Sequence, residues 1–251
     1  MGSIMAQKQD SFTANLPTTG AALDFIKIMA AVLMVVDHWD DIVLDRAANH
    51  LMLIGRAVFP LFCYATATAI LRAGEEKAVS YAAKILVLAI FVEPVSQLAR
   101  GYDMANVLFT LGLGAAFIPF LIQRSHRMRM LIFVIGLATV FLPSQWEFGI
   151  LGVLLPGAMY LVLKGDLRYI PWLILVLAFV NFNDIEMFLN VMSPTVLAMM
   201  VMIASSTIFL PWFIILFAKS LTSTKRLTPK YFLHIFYPLH MILLALIKPF
   251  V

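Results

Sequence analysis

From residue 23 onward the chain alternates long apolar runs with short polar connections. The runs fall at 23–43, 51–71, 79–98, 106–123, 129–143, 148–163, 168–182, 195–218 and 231–248. Most approach the ~20 residues that carry an α-helix across a hydrocarbon core about 30 Å thick. The connections are short, so consecutive spans are expected as antiparallel neighbours in one compact bundle. The run at 195–218 contains Pro211. It is expected as one tilted, kinked helix or as a helix plus a re-entrant piece. No internal repeat and no low-complexity linker interrupts the series. The pattern predicts an all-α, polytopic transmembrane helical bundle of about nine spans. A polar segment, residues 1–22, precedes a single transmembrane domain, residues 23–251. No signal-peptide core precedes Leu23, so the first apolar run is expected to stay as an anchor.

Composition strengthens this picture. The chain is 62% hydrophobic and 13% charged, against about 45–50% and about 25% for a soluble domain. The single cysteine, Cys63, excludes an intramolecular disulfide and reads as a small packing residue. A net charge of +4 raises nucleic acid or a membrane surface as partners. The positive charges, however, sit between the apolar runs, and topology explains them without a nucleic-acid partner. Arg72, Lys77 and Lys84 flank the second connection, and Arg124, Arg127 and Arg129 lie in the fourth. Lys164 and Arg168 lie in the sixth, and Lys219, Lys225, Arg226 and Lys230 in the eighth. The odd connections carry Arg46 and Arg100. This alternation predicts a cytoplasmic N terminus with the even connections inside.

The exceptions to apolarity then stand out. A charge at a helix centre costs roughly 2.5–3.5 kcal/mol on insertion scales and usually marks function. Asp24 and Lys27 begin the first span. Asp37 and His38 follow roughly 20 Å higher at 1.5 Å per residue, with Asp40 and Asp41 at the outer mouth. Arg56 opens the second span at similar depth. Glu93, Asn106 and Glu147 stand at outer helix ends, and His240 lies within the last span. Most of these groups gather at one level in the outer half. Asp37 and His38 point about 100° apart on a helix, so Asp41 shares the His38 face better and Asp37 is free to meet Arg56. Plainer readings stand beside these. Asp24–Lys27 reads equally as an interfacial ion pair, Asp37–Arg56 as a structural pair, and His38 as a helix–helix hydrogen bonder. Glu93 fits the headgroups, Asn106 and Glu147 helix starts, and His234 the interface.

Several segments resemble the TraX family of pilin acetylases. They are Leu33-Met34-Val35-Val36-Asp37-His38, Gly55-Arg56-Ala57-Val58-Phe59-Pro60-Leu61-Phe62, Asn106-Val107-Leu108-Phe109-Thr110-Leu111, Phe148-Gly149-Ile150-Leu151-Gly152-Val153-Leu154 and Tyr237-Pro238-Leu239-His240. More distantly, Asp24, Lys27, Ala30 and His38 fall at the spacings of the opening motif of the membrane acyltransferases that O-acetylate sugars, with Lys27 where arginine is usual. The resemblance implies a bacterial inner-membrane acetyltransferase that takes acetyl from acetyl-CoA. It also implies an acceptor, the N-terminal amine of a pilin.

Acyl transfer needs a base, a positioned donor and stabilisation of an oxyanion. His38 is the expected base, because a neutral imidazole tolerates the membrane and titrates near neutrality. Asp37 or Asp41 is expected to orient it. Arg56 is expected to meet the oxyanion or the acceptor. His240 is a further catalytic candidate, and Asp41, Tyr237, Asn106, Glu93 and Glu147 are candidates to contact the substrates. Lys27, Arg124, Arg127 and Arg129 are candidates for the phosphates of acetyl-CoA. Three alternatives remain open at this point. They are an O-acetyltransferase of an exported polysaccharide, a transporter using Asp37 and His38 as a proton relay, and a non-enzymatic pilus assembly factor.

Overall fold

The computed structural model describes residues 19–45, 49–101, 104–122, 147–182 and 193–248. Among these the chain is helical, without strands. Nine α-helices are described: α1 (Gly20–Ile42), α2 (Asn49–Gly55), α3 (Val58–Ala73), α4 (Ala78–Arg100), α5 (Val107–Ile122), α6 (Gly149–Leu163), α7 (Ile170–Phe179), α8 (Pro194–Ala218) and α9 (Phe232–Ile247). The expected span at 129–143 and most of the polar N-terminal segment lie outside the described residues.

Pairwise packing closes a cycle, α4–α5–α6–α7–α8–α1–α9 and back to α4. Helix α3 lies inside it, against α1, α4, α5, α6 and α8. Its sequence explains the position. It is apolar on every side, and a helix without a polar face is stable only when enclosed. Phe59, Leu61, Cys63, Ala67 and Ile70 are buried with almost no exposure. Outward faces of the surrounding helices stay apolar, with Ile90, Phe91 and Leu98 on α4 and Phe209, Trp212 and Phe213 on α8 all exposed. Apolar surface of that extent fits lipid rather than water.

Among the described residues, three helical stretches are long and apolar enough to cross a bilayer: His50–Ala73, Glu75–Arg100 and Pro194–Ala218. Val107–Pro119, Gly149–Leu163, Leu167–Phe179 and Phe232–Ile247 are apolar but shorter. The sequence predicts about nine spans, and the described residues by themselves supply three of full length with the shorter apolar helices beside them. Short helices and the charges of α1 account for much of the difference. The 195–218 run is one continuous helix with Pro211 inside it. At 1.5 Å per residue its length is about 37 Å, which requires tilt in a 30 Å core.

The predicted second span is divided. Proline lacks an N–H and its ring clashes with the carbonyl four residues earlier; for Pro60 that carbonyl belongs to Arg56. The helix stops at Gly55 and restarts at Val58, leaving Arg56 at the break.

Both ends of the bundle are pinned by polar contacts. At one end, buried Asp24 accepts hydrogen bonds from Leu227 N (2.9 Å) and Thr228 N (3.0 Å) and pairs with Lys27 (3.3 Å) and Arg226 (3.6 Å). This ties α1 to the α8–α9 connection. Glu75 accepts from Lys164 and Tyr160 there, joining the α3–α4 turn to α6. At the opposite end Lys248 donates to the terminal carbonyls of α4, Ala99 O (3.0 Å) and Arg100 O (3.3 Å), a cation placed where a helix dipole is negative. Helices α5 and α6 both start at this second end, and they approach closely at Gly114. A Cβ there would lie 2.8 Å from Val153 O and 2.6 Å from Pro156 Cγ. Gly114→Ala therefore forces α5 from α6, and a loss of about 1–3 kcal/mol is expected from overpacking. Unfolding of the purified variant in detergent measures it, and native-like stability would contradict the packing described.

Candidate functional site

The site lies where the second half of α1 meets α9, α4 and the start of α6. On α1, His38 falls on the buried face that also carries Met34 and Ala31. On α9, Tyr237, His240, Met241 and Leu244 form the buried stripe. The two stripes meet, and the imidazoles lie parallel, 4° apart with centroids at 5.0 Å. His38 Nδ1 is 2.7 Å from His240 Nε2. Tyr237 sets its ring edge-on to both, and Phe236 stacks on His240.

The protons of this pair follow from its outer partners. His240 Nδ1 lies 3.1 Å from Phe236 O, and a carbonyl can only accept. His240 therefore carries its proton on Nδ1 and presents a lone pair at Nε2. His38 then donates from Nδ1, which leaves the lone pair of neutral His38 on Nε2. Arg100 Nη2, a group that can only donate, sits 3.3 Å from that atom. The chain Arg100–His38–His240–Phe236 O is thus satisfied with both imidazoles neutral.

Arg100 corrects the sequence reading, which counted it as a loop charge of the third connection. It is the last residue of α4, and its side chain is 1% exposed. Gly101 follows in the left-handed conformation (φ 82°) and closes the helix, the usual use of glycine there. A signal was present. Residues Ala82, Ile85, Ala89, Val92, Ser96 and Ala99 form the buried stripe of α4, and Arg100 continues it. The same Nη2 donates to Glu147 Oε2 at 3.1 Å. Glu147 is placed by its neighbour Phe148, which stacks on Phe59 of α3 at 4.0 Å between centroids.

The other predicted residues divide into two groups. Asp37 lies within electrostatic reach of Arg56, Glu147, Asp41 and Arg100, so the expected gathering of charge at one level is present. Asp37 packs on Gly55, whose absent Cβ would fall 1.9 Å from its Oδ1. Arg56 stands next to that contact at the helix break, its Nε buried without a hydrogen-bond partner among the described residues. Asp41 does not supply the orienting contact expected for His38, since the two ring nitrogens of His38 are met by His240 and Arg100. It lines a cavity of about 690 Å³ at this end, with Asp45, Met104, Arg100 and Lys248. Arg100 is thus shared between the histidine site and this cavity.

Glu93 and Asn106 join each other instead. Glu93 Oε2 accepts from Asn106 N (3.0 Å) and Nδ2 (2.6 Å), while Oε1 accepts from Gln97. Asn106 also donates to Ala89 O and caps Leu108 N. These contacts bind the end of α4 to the start of α5, and they occupy the side-chain atoms of Asn106. Lys27 pairs with Asp24 at the far end and lines two cavities there. Arg124, Arg127 and Arg129 lie outside the described residues. No group of three or more potential metal ligands occurs among the described residues.

Fold and site define an all-helical membrane protein with a buried histidine pair clamped by an arginine. A family model described as TraX protein matches residues 22–248, and the chain belongs to the TraX family. No curated protein and no solved structure matches it.

Arg100→Ala strips Glu147 and His38 of a shared partner. Breaking a buried pair from one side typically costs about 3–5 kcal/mol. The Arg100→Ala/Glu147→Ala double variant should recover part of that loss, with coupling above about 1 kcal/mol in a double-mutant cycle of detergent unfolding. Additive losses would show that the pair does not hold α4 to α6.

Proposed function

We propose that this protein is an acetyltransferase that moves acetyl from acetyl-CoA to an amine, with the N-terminal amine of a pilin as the acceptor. The observation that carries the reading is the neutral pair His38–His240, held beside Arg100, which itself lines the Asp41 cavity. Family membership adds support. In this reading the short apolar helices and the 129–143 run complete about nine crossings of the bacterial inner membrane. The N terminus and the Asp24 end face the cytoplasm, as the basic connections favour.

The reaction needs a neutral amine to attack the thioester carbonyl. A new C–N bond forms, the carbonyl oxygen takes the π electrons, and the amine loses a proton. His38 Nε2, the lone-pair atom, takes that proton. His240 then accepts the hydrogen bond from His38 Nδ1–H and stabilises the imidazolium, the orienting role that a carboxylate fills in hydrolase triads. Arg100 shifts its Nη2 from His38 toward the developing oxyanion, and Glu147 keeps its charge compensated. Collapse of the intermediate breaks the C–S bond, and the departing thiolate of coenzyme A is protonated by His38.

Purified protein given labelled acetyl-CoA should label a pilin peptide bearing a free N-terminal amine. His38→Ala should lower the rate about 10²–10⁴-fold, the usual worth of a general base. His240→Ala should lower it less. Label appearing on a polysaccharide but not on the peptide would replace the acceptor. No transfer by folded native protein to either would end the enzyme reading.

A further inference from the structure

At the Asp24 end, a cavity of about 280 Å³ is lined by Lys27, Lys84, Arg226 and Lys230, with no carboxylate among its described lining residues. Asp24 lies behind it and compensates part of the charge through Lys27 and Arg226. His234 lines the same cavity as Lys27 and Lys84. A second, narrower cavity of about 70 Å³ shares Lys27, Tyr81, Ile85, Leu233 and His234 with the first. It continues between Met34, Leu108 and Leu111 and reaches Tyr237, whose ring is edge-on to both site histidines. A cationic mouth, an apolar throat and the candidate base therefore lie in series.

We propose that the mouth holds the phosphates of coenzyme A and that the throat takes its pantetheine arm, so that donor and acceptor reach His38 from opposite ends. This rests on the acetyltransferase reading above. Dimensions agree with it. Lys27 and His38 are eleven residues apart on α1, which is roughly 16 Å of helix. About a dozen bonds separate the pyrophosphate from the sulfur of coenzyme A; at the advance of an extended backbone they span roughly 14 Å. The chemistry agrees as well. Cations brought together at a rim repel one another, and a ligand with several phosphate charges relieves that repulsion. The throat is apolar except for Thr66, Tyr81 and its two ends, which suits a thin arm of methylenes and two amides. At about 70 Å³ it admits the arm only as the side chains of Met34, Leu108 and Leu111 move aside.

Anionic lipid headgroups present the same phosphate chemistry, so the test separates the two sources. Full-length protein in zwitterionic nanodiscs is titrated with coenzyme A and, separately, with pantetheine, which lacks the phosphates. The Lys84→Ala/Lys230→Ala variant alters two exposed side chains and is titrated beside it. Affinity for coenzyme A should fall about tenfold or more, equivalent to about 1.4 kcal/mol, while that for pantetheine stays unchanged. Equal coenzyme A affinity in both proteins, or none in the native one, overturns the proposal. Loss of coenzyme A binding when phosphatidylglycerol is added to the nanodiscs marks the mouth as a lipid site and also overturns it. Acetyl transfer is assayed on the same preparations. Native transfer with an unchanged KM for acetyl-CoA in the variant sinks the mouth and leaves the enzyme standing. Lysine-dependent binding without any transfer sinks the enzyme reading and keeps the site.

Discussion

A fully charged guanidinium inside an apolar bundle must be met by partners, because the cost of an uncompensated buried charge exceeds what most packing contacts return. Arg100 sets that condition here. Its side chain is almost wholly enclosed, and it is met by Glu147 from the start of α6 and by His38 from α1. Lys248 of α9 closes on the carbonyl of the same residue. Four helices are thus held in register around one residue. The stacked rings of Phe59 and Phe148 fix Glu147 at the height where Arg100 needs it.

The histidine pair solves a related problem differently. Two imidazoles can satisfy each other without carrying any charge, which keeps them affordable in a low-dielectric interior. Their protons are ordered by a carbonyl that accepts at one end and an arginine that donates at the other. The outcome is a lone pair on His38 Nε2 that faces Arg100, a residue that also lines the wide cavity. A carboxylate in the place of His240 would hold His38 more strongly but would add another buried charge to a level that already contains Asp37, Asp41 and Glu147.

Much of this was legible in the sequence. The limits of α1 and α4, Gly20–Ile42 and Ala78–Arg100, fall within a few residues of the predicted 23–43 and 79–98. The depth argument placed His38, Asp37, Arg56 and Glu147 at one level, and the structure brings them together. His240 was legible as a mid-span histidine, although its contact with His38 spans 202 positions and no local pattern announces it. Arg100 was misplaced because a charge between apolar runs looks like a loop residue. Its burial depends on a stripe of small residues, which hydropathy alone does not weigh. The break at Arg56 was not read from the continuous 51–71 run, although Pro60, whose effect reaches four residues back, accounts for it. Glu93 and Asn106 are joined to each other across a tight helix connection. A sequence does not separate that use of a buried polar side chain from use in a site, because both answer the same demand for hydrogen bonds.

The narrowness of the throat has a consequence for the cell. Voltage across a membrane acts on every charge that can cross, at about 2.3 kcal/mol per elementary charge per 100 mV. A hydrogen-bonded string of imidazoles conducts protons well when both of its ends are wet. Here Arg100 at one end lines a wide cavity, and Tyr237 beside the histidines lines an apolar constriction of about 70 Å³ that leads to the lysine-lined cavity. The constriction acts as electrical insulation. With the side chains closed, that apolar stretch would separate the histidine pair from the lysine-lined cavity, and a thin ligand in it would keep the two apart.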